Sequence, residues 1–332
     1  MGSGRRARAA DRSGRDGRRA AGRGAAERAG PAGCGAAGGR PVSALTEAPA
    51  TVVTSEGVYD MPADVYHADP VPAGSISSSG ARKLLATCPA RYRYEADNPP
   101  KPTKAMELGT AAHKLVLGIG PELHRMSYDT YRSGAAQAER DAAYDRGAVP
   151  LKPDEYDQVE EMAAAIREHE LASVLLGGTG EAERALFWKD GPTKVWRRAL
   201  LDWLPPKGPD GRLYLADYKT ADSAHPDAIS KSLINFGYHM QGAWYEDAVR
   251  ALGLSDAVPY FLVVQEKTAP YIVSVVQLTQ IALDAGRHEN RKALRLFARC
   301  QKAGHWPPYI ESVAQVGLPG WAENRFLQEV TS

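Results

Sequence analysis

Val195-Trp-Arg-Arg-Ala-Leu-Leu-Asp-Trp-Leu204, the turn cluster Pro205-Pro-Lys-Gly-Pro-Asp-Gly211 and Arg212-Leu-Tyr-Leu-Ala-Asp-Tyr-Lys219 read as two strands joined by a turn. Side chains on a strand alternate between faces. Leu213, Leu215, Asp217 and Lys219 therefore share one face. The two leucines can anchor a core while the acid and the lysine reach the end of the sheet. Asp202 closes the preceding strand, after Ala199-Leu-Leu201. As a turn-starting residue ahead of Pro205-Pro206 it would be ordinary. Next to Asp217 on an adjacent strand it would be one of two carboxylates that repel unless a cation sits between them.

The neighbouring segments extend this frame. Glu183-Arg-Ala-Leu-Phe-Trp188 is a strand before the pair. Pro259–Gln265 and Tyr271–Leu278 are two strands after it, and a long helix runs from there to about residue 303. Pro226–Ile234 and Tyr238–Leu252 have helical texture. Upstream, Ser75-Ile-Ser-Ser-Ser-Gly-Ala-Arg-Lys-Leu-Leu85 supplies hydroxyls that start a helix. Leu108, Ala111, Ala112, Leu115 and Val116 have helical spacing over 105–118. Lys152-Pro-Asp154 opens a helix from Glu155 to Glu170. Asn98-Pro-Pro-Lys-Pro102 breaks the chain. Helices, a meander, helices, a strand pair and a helix predict an α/β (α+β) domain: a central mixed sheet flanked by helices, with an N-terminal helical part.

Composition bounds the function. The chain of 332 residues has a formal net charge of +1, but residues 1–55 carry ten Arg, no Lys and four acids. That segment is +6 and the remainder −5. Gly, Ala and Arg dominate residues 1–55, which cannot bury enough surface to offset chain entropy. They read as a disordered tail, a basic arm for DNA phosphate, or an upstream extension from a wrongly chosen start codon. The folded domain is expected over 56–328. Cys34, Cys88 and Cys300 form no CxxC pair, which excludes a zinc ribbon and an iron–sulfur cluster and fits a reducing compartment. No apolar run has membrane-span length and no secretory signal is evident, so the cytoplasm is the expected location. Gly177-Gly-Thr-Gly180 lacks the Gly-Lys-Ser/Thr of a phosphate loop.

An isolated acid-x-lysine triplet is ordinarily a surface ion pair. The company of Asp217 and Lys219 changes the reading. Glu183 is placed to supply a third oxygen ligand. Gln241 and Tyr245 lie at i and i+4 of one helix and so share a face. They could orient the lysine, a metal-bound water or a phosphate, or could be plain amphipathic surface. His113 is a lone histidine on an otherwise apolar helix. Arg197 and Arg198 are placed to contact phosphate or to form a solvated strand edge.

In this order the residues resemble the PD-(D/E)xK nuclease superfamily in its RecB-like branch. More closely, the chain is similar to the RecE-type exodeoxyribonuclease VIII nuclease domain of phages and prophages. The similar segments are Gly57-Val-Tyr-Asp-Met-Pro-Ala-Asp-Val-Tyr-His67, Ser75–Leu85, Cys88-Pro-Ala-Arg-Tyr92, Leu108-Gly-Thr-Ala-Ala-His113, Leu215-Ala-Asp-Tyr-Lys-Thr220 and Tyr238-His-Met-Gln-Gly-Ala-Trp-Tyr245. The resemblance runs from about residue 57 to about 325. It departs at Asp202, which follows leucine where the superfamily often has proline. It implies a magnesium-dependent exonuclease, with manganese as a substitute, that degrades double-stranded DNA 5′ to 3′. The product would carry 3′ single-stranded tails for an annealing protein, and a ring-shaped homo-oligomer would give processivity. The implied metal ligands are His113, Glu183, Asp202, Asp217 and Tyr218. Lys219 would be the catalytic lysine, supported by Gln241 and Tyr245. The competing expectations are an endonuclease or cluster-free RecB-like repair nuclease, and a non-catalytic DNA-end-binding recombination accessory protein.

Overall fold

A computed structural model of the protein describes residues 52–99 and 103–331. Nearly all of the expected basic tail, Cys34 and residues 100–102 of the proline break lie outside the described residues. Val53 is buried, and its N–H donates to Pro70 O at 2.9 Å.

The chain runs β1 (Gly57–Tyr59), α1 (Ala63–His67), β2 (Ser75–Ser77), α2 (Ser78–Ala86), α3 (Pro89–Asp97), α4 (Lys104–Leu117), β3 (Leu123–Arg125), α5 (Gly134–Asp145), β4 (Val149–Leu151), α6 (Pro153–Glu168) and α7 (Glu170–Leu175). It continues through β5 (Glu181–Lys189), β6 (Trp196–Leu204), β7 (Leu215–Ala221), α8 (Pro226–Asn235), α9 (Tyr238–Ala251), β8 (Tyr260–Glu266), β9 (Val273–Gln277), α10 (Gln280–Ala303) and α11 (Gly320–Val330). The five longest strands and their flanking helices follow the sequence pattern. The short strands β1–β4 and helices α1, α3, α5, α7 and α11 were not expected. The short strands depend on pairing with distant segments, which local pattern does not encode.

The main sheet is mixed, in the order β1-β5-β6-β7-β8-β9, with β2 parallel to β6. Strands β5 and β6 form a long antiparallel hairpin, whereas β7 pairs in parallel with β8. Parallel neighbours need a crossover, and α8 and α9 supply it. The third expected strand starts only at Leu215. Before it, Leu213 N and Leu215 N already bond Ala257 O and Pro259 O, at 2.9 and 3.0 Å. This places both leucines beside β8.

The two faces of the sheet carry separate cores, as the period of two requires. Leu213, Leu215, Leu262 and Val264 pack toward α9 and α10. Ala216, Tyr218 and Val263 pack toward α4 and α6. Helix α9 is covered nearly all round. At Gly286 of α10, an added Cβ would lie 2.1 Å from His239 O, so only glycine permits this helix contact. Helix α4 is capped by the Thr103 hydroxyl and ends at Gly118 in the left-handed conformation. No helix among the described residues is long and apolar enough to cross a membrane.

Candidate active site

Strands β6 and β7 meet at one bridge, where Trp203 stands opposite Ala216. Asp202 and Asp217 are the next residues beyond it. Tyr218 N donates to Asp202 Oδ2 at 3.1 Å, so the Asp202 carboxylate lies against the backbone beside Asp217. Asp217 is fully buried, and its carboxylate is ion-paired with Lys219. His113 reaches in from α4 to place Nε2 3.1 Å from Asp202 Oδ2.

Helix α9 braces the same carboxylate from the other side. Gln241 Nε2 donates to Asp217 Oδ1 at 2.8 Å and to the Tyr245 hydroxyl at 3.0 Å. Tyr245 in turn donates to Leu200 O at 2.9 Å. The i,i+4 pair therefore ties Asp217 on β7 to β6. Both residues are buried, so the amphipathic-surface reading does not hold. Gln241 Oε1 is also buried and has no hydrogen-bond partner among the described residues.

Glu183 stands across from Asp202 on β5, in the gap between the pairs Ala182–Trp203 and Arg184–Leu201. Its φ is +51°, a left-handed conformation that costs a non-glycine residue on the order of 1–2 kcal/mol. Its carboxyl opens on a cleft of about 980 Å³, also lined by Met106, His113, Tyr218, Lys219 and Tyr238. The Tyr218 side chain turns away from Asp217. Its hydroxyl donates to Gln265 Oε1 at 2.5 Å, and Gln265 Nε2 donates to Met162 O at 2.8 Å. That leaves the Tyr218 main-chain carbonyl as its only ligand atom.

The charges shape each other. Burial, with the Asp202 charge beside it, pushes the Asp217 carboxyl up to about 6, even against Lys219. Burial works in the same direction on Asp202, but His113, Lys219 and the Tyr218 N–H together hold it below the ordinary range. The Lys219 ammonium is raised: burial opposes its charge, and Asp217 and Asp202 jointly outweigh burial. His113 is raised in the same way, with Asp202 overcoming burial. Burial raises Glu183.

Among the described residues no three His, Cys, Asp or Glu side chains converge as a ready cage. What does converge is two carboxylates, with Gln241 Oε1 left over as an acceptor near one of them. This fits a hard cation such as Mg²⁺, which keeps several waters and takes one or two carboxylates plus substrate oxygens.

Two expectations are corrected. Arg197 is neither a phosphate contact nor a solvated edge: it is buried between the rings of Trp188 and Trp244, 4.6 and 4.0 Å from their centroids. Arg198 is internal as well, paired with Asp69 at 2.8 Å and donating to Ser75 Oγ at 2.7 Å. One neighbour was missed. Tyr238, one turn before Gln241, carries the Lys219 ammonium 5.5 Å from its ring centroid. Its place at the head of the Tyr238–Tyr245 segment was the available signal.

Comparison with known proteins bears on the family and the fold. A crystal structure described as "Putative exonuclease" from Eubacterium rectale superposes with a TM-score of 0.54 at 14% identity, covering 82% of this chain and 99% of the other. At that identity the likeness concerns the fold. A structure described as SSO0001 matches at 12% identity over 71% of this chain and 79% of its own, with a TM-score of 0.31, too low to carry an argument. No curated protein matches. The family model of a PDDEXK-like domain of unknown function (DUF3799) matches residues 77–317. That stretch contains the whole His113–Tyr245 constellation, and the chain belongs to this PDDEXK-like family.

Proposed function

We propose that this protein is a Mg²⁺-dependent nuclease that degrades double-stranded DNA from its ends. The observation that carries the reading is the meeting of Asp202 and Asp217 beyond the β6–β7 bridge, with Lys219 paired to Asp217 at the cleft wall. Two apposed carboxylates are unfavourable by themselves, and the Asp202 charge adds to burial in raising the Asp217 carboxyl.

A bound divalent cation polarises a phosphoryl oxygen and lowers the pKa of its water. The protein's part is to hold and orient. Asp202 and Asp217 would hold the cation, with the Tyr218 carbonyl and Glu183 available as further oxygen donors. Lys219 stays charged and offsets negative charge developing on the phosphate, so it is an electrostatic group and not a base. Gln241 fixes the Asp217 carboxylate and would keep its unpartnered Oε1 as a further acceptor at the site. His113 fixes Asp202.

The direction of digestion, 5′ to 3′ with 3′ tails passed to an annealing protein, and a ring-shaped oligomer follow from the sequence resemblance. The deciding experiment digests end-labelled linear duplex with and without Mg²⁺, beside a closed circular control. Mg²⁺-dependent loss of the linear form with the circle intact is the expected result. Cleavage of the circle would make the protein an endonuclease. Binding of ends without cleavage of either form would make it an accessory protein.

A further inference from the structure

Beside the catalytic cleft lies a smaller pocket of about 520 Å³. Lys219, Thr220, Tyr238 and Met106 line both, so the two are continuous. The rim of the smaller pocket is unusual for a charged, water-facing site. Met106 is 60% exposed and Phe236 59%, and Ile234 beside Phe236 is 71% exposed. Single exposed apolar side chains are ordinary, but grouped ones mark contact surfaces.

Phe236 is also held rigidly. Arg82 Nη1 donates to Phe236 O, Phe236 N donates to Ser232 O at 3.0 Å, and Gly237 N donates to Ile234 O at 3.2 Å. Gly237 has φ +65°, and an added Cβ there would lie 2.5 Å from Arg82 Cδ. The turn between α8 and α9 is held by these contacts, and it presents a phenyl ring to solvent. That ring packs on Tyr238 with centroids 5.6 Å apart and planes 33° apart. Tyr238 carries the Lys219 ammonium. The order outward from the site is cation, tyrosine ring, phenylalanine ring.

We infer that Phe236, backed by Tyr238, is a stacking platform for an unpaired nucleobase of the strand whose phosphate lies at Lys219. The identity of the ligand as DNA rests on the nuclease reading above. A base inside a duplex has both faces covered by its neighbours, whereas an unpaired base offers a free face to an aromatic ring. Lys219, paired with Asp217, and Lys267, paired with Asp222 at 2.5 Å, line the same pocket and offer ammonium N–H donors to the attached phosphates. A ring pre-set by its backbone loses little entropy on stacking. Phe236 thereby selects for a strand end that has come out of the helix.

The test uses single-stranded oligonucleotides carrying 2-aminopurine at successive positions, bound to the full chain in EDTA so that no cleavage occurs. Wild type quenches the fluorophore at one position near the strand end. Phe236→Ala loses that quench and weakens binding about tenfold, the scale of one base–aromatic stack. Phe236→Trp and Phe236→Tyr retain both, and Phe236→Leu behaves like alanine. An exposed side chain contributes little to folding, and unchanged melting of each variant checks this. The inference is overturned by a wild type that quenches nowhere, by Phe236→Ala that binds and quenches as wild type, or by Phe236→Leu that does so, since leucine retains apolarity without a π face. Cleavage without quenching would remove the platform and leave the nuclease reading intact. Quenching without Mg²⁺-dependent cleavage would do the reverse.

Discussion

Strand β6 carries Arg197 near its start and Asp202 near its end, and each belongs to a cluster of buried charge. Around Arg197, every carboxylate meets a guanidinium. Asp190 is 2.8 Å from Arg291, Asp247 is 3.0 Å from Arg287, and Glu246 pairs with Arg287 and, at 2.9 Å, with Arg250. Around Asp202 the balance is reversed: among the described residues Asp202 and Asp217 share Lys219 and His113, and Glu183 adds a third acid, offset by His113 and Lys114 alone. The acids respond accordingly. Burial works against the Asp190 carboxylate, yet Thr193 and the two arginines pull it below the ordinary range. Burial and Asp202 push Asp217 up to about 6. Arg197 shows the converse, lowered by burial to about 10 although Asp247 and Asp190 oppose this. One cluster is complete as folded. The other is short of positive charge, and that deficit lies at the cleft.

If the contrast is functional, removing charge from the two clusters has different consequences. The largest expected effect is on catalysis. Lys219→Ala should lower Mg²⁺-dependent cleavage by about 10³-fold or more, since electrostatic stabilisation of this kind is worth several kcal/mol. Asp217→Ala should do the same while still binding DNA in EDTA. Steady-state digestion of linear duplex measures both, and a loss below about tenfold for either would remove the site assignment. Next comes stability at the other end of β6. Arg197→Ala leaves Asp190 and Asp247 with Arg291 and Arg287, and empties the space between two tryptophans. Truncating a large buried side chain and leaving a cavity costs about 2–5 kcal/mol. Urea unfolding should show this, with cleavage by the remaining folded protein unchanged.

The contrast was only half legible in the sequence. Period-two alternation was enough to put Asp217 and Lys219 on the face of Leu215, and Ala216 and Tyr218 on the other, because a strand leaves no third choice. The i,i+4 spacing likewise put Gln241 and Tyr245 together. Arg197 defeated the same reasoning. A charged residue is rarely buried unless paired, and its partners Asp190 and Asp247 come from a turn and from helix α9, 50 positions along the chain in the second case. Glu183 was readable as a strand residue, but nothing local announces a left-handed glutamate within β5. The fold as a whole was more legible than the site's bracing. Apolar periodicity is local, whereas the ties from Tyr245 to Leu200 and from His113 to Asp202 join segments 45 and 89 positions apart.

A smaller effect separates the clusters by the sign of a neutralising change. The Asp217 carboxyl is raised in the folded state, so its contribution to stability is fully present below its unfolded pKa of about 3.8 and is lost as pH rises through about 6. Above that the fold carries a penalised charge, even with Lys219 beside it. Asp217→Asn removes it. The variant should be more stable than wild type at about pH 8, by roughly 1–3 kcal/mol at about 1.4 kcal/mol per pK unit. The gain should vanish near pH 4. Asp190→Asn, in the saturated cluster, should instead destabilise at about pH 8. Urea unfolding of both variants at the two pH values decides, and matching signs would erase the distinction drawn here.

The smallest expected effect tests the deficit directly. A cation that fills it binds the folded state and must stabilise it by mass action. Protons compete for Asp217, so the stabilisation must weaken below about pH 6. Mg²⁺ well above its dissociation constant should raise the melting temperature by about 2–4 °C at about pH 8, the shift that about 1 kcal/mol produces in a domain of this size. At about pH 5 the shift should fall below about 1 °C. General salt effects do not follow the titration of one carboxyl, so Na⁺ at matched ionic strength provides the control. Asp217→Asn separates the remaining possibilities. Losing the Mg²⁺ shift at both pH values places the cation at Asp217. Keeping it would move the cation elsewhere, and Asp217 would then be a buried acid with a lysine partner, no different in kind from Asp190 with its arginines.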